Sequence, residues 1–247
     1  MRRVKRGWMN LLVTNIIEET PDTKTFLLED KEEGGRAFDY DPGQYLTLRF
    51  DEVFEKPIVR SYTMSSSPVQ GNFSALTIKR VPGGLVSNWI CDHVKIGDCL
   101  RGRGPIGKFI YNLEEDQKTL IMLAAGSGVT PFISIMREYS QKPSSDIRMK
   151  LLVAYRSRED IICKREIEEI RKNPNFEVVI TLTRENCEAE GFLFGRPNKT
   201  MYANLIRSHE DSATYMTCGP QEMMDDFVAF LHDKKIEAVR IKTESFA

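Results

Sequence analysis

Halfway along the chain, four short segments become apolar almost without interruption, and this restricts the possible folds more than anything else in the sequence. They are residues 119–125 (TLIMLAA), 150–155 (KLLVAY), 177–182 (EVVITL) and 214–217 (TYMT). A strand reads this way when both of its faces are buried, as in a parallel sheet covered by helices. Helical patterns alternate with these runs. Residues 131–140 follow the first and 163–172 the second, and after Pro220 the residues Met223, Met224, Phe227, Phe230 and Leu231 recur at helical spacing. Strand–helix alternation predicts a doubly wound α/β domain. The Met stripe is read as core packing.

The first half has a different rhythm. Apolar or β-branched runs at 11–17, 24–29, 44–50, 61–64 and 75–80 are separated by turn residues: Pro21-Asp22, Gly34-Gly35, Asp41-Pro42-Gly43, Gln70-Gly71-Asn72 and Pro82-Gly83-Gly84. Many short strands with such turns predict an antiparallel β barrel or sandwich, with one short helix at 87–93. The polar stretch 112–118 (NLEEDQK) divides the halves, giving domains at 1–112 and 113–247.

Charge and cysteine content narrow the chemistry. The formal net charge is -1, so no overall field draws the chain to nucleic acid or membranes. The basic start, MRRVKR, precedes no unbroken apolar segment, because Asn10, Asn15, Glu18 and Glu19 interrupt it. A cytoplasmic protein with a solvated basic tail is expected. Cys91, Cys99, Cys163, Cys187 and Cys218 are widely spaced and form no CxxC pair; His93, His209 and His232 form no helical HxxxH pair. Neither a plant-type iron–sulfur cluster nor a structural zinc is expected, so redox chemistry would need an organic cofactor.

Gly126-Ser127-Gly128-Val129-Thr130-Pro131 follows the first buried run and opens a helix. Glycines there let backbone N–H groups approach a phosphate, and the helix dipole adds ~0.3–1 kcal/mol. Pro131 stands where a dinucleotide fingerprint has Gly or Ala, so a plain glycine turn stays open as a reading. Other segments bear on that choice: Arg60-Ser61-Tyr62-Thr63, Gly83-Gly84-Leu85-Val86-Ser87-Asn88, Gly104-Pro105-Ile106-Gly107, Cys218-Gly219-Pro220 and Glu244-Ser245-Phe246. In this order, and along nearly the whole chain, they resemble the ferredoxin–NADP reductase superfamily, which includes oxygenase reductase modules and cytochrome b5 reductase.

The resemblance implies an FAD-containing, NAD(P)H-dependent oxidoreductase: a Greek-key flavin barrel followed by a nucleotide-binding parallel sheet. Arg60 would pair with the FAD pyrophosphate, Tyr62 would pack on the isoalloxazine, and Thr63, where many relatives have Ser, would reach flavin N5. Ser61 belongs to the same segment. Gly83, Gly84, Leu85, Val86 and Ser87 would form the flavin phosphate loop. Gly126, Gly128, Thr130, Pro131, Gly219 and Pro220 would hold the dinucleotide. Cys218 would lie beside the nicotinamide in a positioning role, Glu244 would serve Thr63, Cys218 and the N5 proton, and Phe246 would stack on the flavin face.

Coenzyme choice turns on Arg156, Arg158, Thr183 and Arg184, the expected surroundings of the adenosine 2′-position. Glu159 and Asp160 would repel a phosphate, and Gly191-Phe192-Leu193-Phe194 fills the place where NADP-preferring relatives carry Lys and Tyr. NADH is expected over NADPH. The acceptor is expected to be a separate protein, such as a ferredoxin or an oxygenase component, unless the gene continues past Phe246 into a ferredoxin domain. Two other readings stay open. In a free-flavin reductase, flavin would be a substrate, against which Arg60 and the phosphate loop speak. A flavin- or nucleotide-binding module of a larger complex would not bleach its flavin with NADH.

Overall fold

The computed structural model describes residues 3, 5, 7–140 and 146–246. It is organised around two six-stranded sheets, one from each half of the chain. The first is antiparallel and runs in the order β4 (Ile58–Thr63), β3 (Tyr45–Phe50), β6 (Cys99–Ile106), β1 (Met9–Thr20), β2 (Thr23–Asp30), β5 (Ser74–Lys79). Just beyond β4, Met64 forms an antiparallel bridge with Leu76, and Ser65 donates its N–H to the Ala75 carbonyl at 2.9 Å. These contacts bring the two edge strands together and close the sheet as a barrel.

Alternation explains why the barrel closes around these residues. Phe26, Leu28, Leu46, Leu48, Leu76 and Ile78 point inward and are buried, each contributing roughly 1.5–3 kcal/mol of apolar burial. Helix α1 (Leu85–His93) packs against them through Val86, Ile90 and Cys91.

The second sheet is parallel throughout, in the order β10 (Phe192–Phe194), β9 (Phe176–Leu182), β8 (Arg148–Tyr155), β7 (Thr119–Ala125), β11 (Ala213–Cys218), β12 (Ile241–Glu244). Leu120, Met122 and Ala124 face helices α2 (Thr130–Ser140) and α3 (Lys164–Ile170), whereas Ile121 and Leu123 face α4 (Lys199–Ile206) and α5 (Gln221–Asp233). Both faces are covered, which is why these strands carry no polar alternation. From β7 the chain winds one way through β8 and β9, then returns to place β11 on the other side of β7. The direction reverses between β7 and β11, and in open α/β sheets ligands bind at the carboxyl ends of strands at such a point.

The basic start is less free than a solvated tail. Arg3 pairs with Glu33 at 2.7 Å and donates its N–H to Asp39, and Lys5 pairs with Asp30 at 2.6 Å. The other residues of that start (Met1, Arg2, Val4 and Arg6) lie outside the described residues. Among the described residues, no helix is long and apolar enough to cross a membrane.

Candidate active site

Two adjoining clefts open where the barrel meets the parallel sheet. The smaller, about 340 Å³, is walled by Arg60, Ser61, Tyr62 and Thr63 of β4, by Gly84 just before α1 and Leu85, Val86 and Ser87 within it, and by Thr130. The larger, about 700 Å³, is walled by Gly126, Ser127 and Gly128 after β7, by Arg156, Asp160 and Thr183, by Gly219 and Pro220 after β11, and by 79–82 of the barrel. Lys79, Val81, Ser127 and Phe246 line both, so the clefts share a wall.

The smaller cleft is built to take an anion. Arg60 is exposed, and its guanidinium donates to the Val59 carbonyl at 2.8 Å. It has no carboxylate partner among the described residues. Gly84 caps helix α1 without a side-chain hydrogen bond, which leaves first-turn N–H groups for a ligand. The preceding Gly83 has φ 71°, a left-handed backbone that suits glycine and forms the turn into the helix. Gly83 itself is not among the lining residues. Ser87 accepts from the Val81 N–H at 3.2 Å, so its own proton remains to donate. Deeper in, Thr63 is 5% exposed, and burial pushes the Tyr62 phenol up to about 12, with the Cys91 charge adding to it and Arg60 opposing. A neutral aromatic wall, a buried hydroxyl and an unpaired guanidinium suit a ring system with a phosphate tail.

The larger cleft depends on the strand-end turns. After β7 the chain makes a 3₁₀ turn, Gly126–Val129, with no side-chain cap, and Thr130 Oγ1 donates to the Ser127 carbonyl at 2.9 Å. Helix α2 therefore starts at Thr130, and Pro131 is its second residue, buried in the helix and off the cleft wall. At the end of β11, Cys218 is fully buried and lies behind the wall, in register with Glu244 of β12. Burial, then the Glu244 charge, pushes the thiol well above its ordinary range, so it is a neutral group rather than a nucleophile. Desolvation also raises the Glu244 carboxyl. Neither Cys218 nor Glu244 is a lining residue.

The proposed coenzyme-selecting residues divide. Arg156, Asp160 and Thr183 reach the cleft. Arg158 and Arg184 do not: Arg158 directs both its backbone N–H and its Nε to Glu185, and Arg184 is exposed elsewhere. Asp160 accepts from the Ser157 N–H at 3.0 Å and from its hydroxyl at 2.8 Å, which fixes the carboxylate at the cleft edge. Asp22, Lys79 and Val81 were not picked out by any local pattern in the sequence. Asp22 holds the Lys79 ammonium at 2.5 Å across two strands, a contact that only the folded barrel creates.

Away from the clefts, the potential ligand atoms of Glu19, Cys163 and Glu166 lie within 4.8 Å of one another. Their capacity is already used. Glu166 pairs with Arg137 at 2.9 Å, and Glu19 accepts from Thr25 at 2.7 Å and from the Cys163 N–H at 3.1 Å.

Residues 10–111 match the oxidoreductase FAD-binding domain family, and residues 122–229 match the oxidoreductase NAD-binding domain family. The chain belongs to the ferredoxin–NADP reductase superfamily. The first match holds the smaller cleft's β4 and α1, and the second holds the strand-end turns of the larger cleft, so the two cofactor-binding domains face each other across the shared wall. Among curated relatives, the glycine betaine monooxygenase reductase subunit of Pseudomonas aeruginosa is 33% identical over 94% of this chain and 62% of its own. The ferredoxin reductase component of 3-ketosteroid-9-alpha-monooxygenase from Rhodococcus rhodochrous is 29% identical over 96% of this chain and 64% of its own. The chain thus spans under two thirds of the length of these relatives. The flavohem-like FAD/NAD-binding domain of Vibrio cholerae nitric oxide dioxygenase shares the fold, with TM-score 0.85 and 24% identity over 98% of this chain and 99% of that one.

Proposed function

We propose that this chain takes reducing equivalents from NADH and passes them, through FAD, to a separate redox protein. The single observation that carries this reading is the shared wall. A cleft suited to a flavin and a cleft suited to a dinucleotide adjoin along Lys79, Val81, Ser127 and Phe246. When bound, FAD supplies the ability to accept a hydride and release electrons singly.

The residues of the chain bind, orient and exclude water. Arg60 and the open end of α1 would hold the FAD phosphates by charge-assisted hydrogen bonds. Tyr62 offers an apolar ring face, and Thr63 a buried hydroxyl donor. The turn at Gly126–Val129 and the Gly219-Pro220 corner would hold the dinucleotide at the switch point. Phe246, 45% exposed, closes the boundary between the clefts and would yield to a nicotinamide ring.

NADH is favoured for an electrostatic reason. An added 2′-phosphate would meet the Asp160 carboxylate at the wall, with Arg158 occupied by Glu185 and Arg184 outside the cleft; Arg156 alone of these arginines is on the wall. An acceptor outside these residues is supported by two facts. All five cysteines are free and scattered, and the curated relatives are named as reductase components of oxygenase systems.

Purified protein loaded with FAD, assayed anaerobically with NADH and NADPH and then offered ferredoxins, cytochrome c or free flavins, tests the reading. Retained FAD and turnover with a protein acceptor are expected. Turnover only with free flavin, with none retained, would favour a flavin-substrate enzyme instead.

A further inference from the structure

The loop that follows Thr63 is gripped from the opposite domain by a helix whose first turn forms the cleft wall. Ser65, Ser66 and Ser67 are fully buried at the domain junction. Three residues on one face of α2 reach them, at positions i, i+3 and i+4. The Ser134 hydroxyl donates to the Ser66 carbonyl at 2.5 Å, Arg137 donates to the Ser65 carbonyl at 2.7 Å, and the Ser67 hydroxyl donates to the Glu138 carboxylate at 2.5 Å. On the barrel side the same serines are held by Tyr40, Ala75 and Thr77. Arg137 also reaches Glu166 at 2.9 Å, tying α3 into the junction.

These contacts make α2 a strut. Its N-terminal end carries Thr130, which lines the smaller cleft together with Thr63, and the Ser127 turn that lines both clefts. The gripping residues lie four to eight positions further along, about 6–12 Å along the axis. One residue, Met64, separates Thr63 from the first gripped carbonyl, that of Ser65. We infer that Ser134, Arg137 and Glu138 are positioning residues that fix Thr63 of the barrel relative to the Gly126–Val129 turn of the parallel sheet, and so set the alignment of the two clefts. This rests on the proposed function for its catalytic consequence, because hydride transfer is sensitive to ångström-scale misplacement, which costs about a hundredfold per ångström.

The test uses Ser134→Ala, Glu138→Gln and Arg137→Gln. If the buried Arg137 variant fails to fold, the two milder substitutions carry the experiment. Hydrogen exchange of residues 62–70, read by mass spectrometry with and without FAD, reports the grip itself. Stopped-flow reduction reports its consequence. Faster exchange in that segment is expected, with FAD content and NADH dissociation constant unchanged and the limiting reduction rate lowered by about tenfold or more. A merely structural role would lower melting temperature without moving the limiting rate of the folded fraction. Unchanged exchange in 62–70 would overturn the inference, as would a limiting rate within about twofold of wild type despite faster exchange. Failure of wild-type protein to react with NADH would instead defeat the proposed function, and the exchange measurement would still report the grip.

Discussion

A β-carbon placed on Gly128 would sit 2.3 Å from the carbonyl oxygen of Cys218. The glycine turn after β7 and the corner after β11 are thus in direct backbone contact at the point where the sheet reverses direction. No side chain fits between them.

Gly128→Ala is therefore expected to push the two strand ends apart. Overpacking of this kind costs roughly 1–3 kcal/mol. Affinity for NADH, measured by titration of the FAD-loaded protein, should fall by about tenfold or more while FAD content holds. Unchanged affinity would show that the turn does not touch the dinucleotide.

Arg60→Ala should release FAD. The guanidinium has no acidic partner among the described residues, so its loss leaves no buried charge behind, and the effect should fall on the ligand alone. A charge-assisted hydrogen bond is worth about 1.5–3 kcal/mol, or roughly 10–100-fold in dissociation constant. Fluorescence titration of apoprotein with FAD measures this, and a melting temperature of the apoprotein close to wild type is expected alongside it.

Phe246→Ala should tighten binding of both coenzymes. The ring lines both clefts at their common wall, and its removal vacates space a nicotinamide would take. If the dissociation constants for NADH and NADPH do not move, the terminal aromatic is not competing for that space.

Much of this arrangement is legible in the sequence. The apolar runs of β7, β8, β9 and β11 announce a sheet covered on both faces, and Arg60 to Thr63, singled out by a resemblance, lie together on one cleft wall. Strand β6 (CLRGRGPI) is harder to read, for a physical reason. Its inward positions at Gly102 and Gly104 are crowded by Leu11 and Leu46, so the barrel needs glycine there and the usual apolar alternation is missing. Strands β10 and β12 have three and four residues, too few for a period to show. No strong apolar repeat marks helix α4 in the sequence. The pairing of Arg158 with Glu185 is not legible either, because the two are 27 residues apart. The grip of α2 on the serines spans about seventy residues, and no local pattern encodes it.

Glu244→Gln makes a pH-dependent prediction. Desolvation raises the Glu244 pKa in the fold, so its contribution to stability is fully present below the unfolded carboxylate value and is lost as pH rises through the folded value. Glutamine stays neutral throughout. The melting temperature of the variant relative to wild type should therefore increase from acid toward neutral pH. A difference independent of pH would mean the carboxylate titrates as it does in the unfolded chain.

The most direct measurement is a single anaerobic mix of FAD-loaded protein with NADH, followed at the flavin's visible absorbance. Loss of the yellow colour in one exponential phase, whose rate saturates with NADH concentration, is what two clefts sharing a wall predict. A protein that stays yellow under excess NADH and NADPH alike, or one that never takes up FAD, would contradict it.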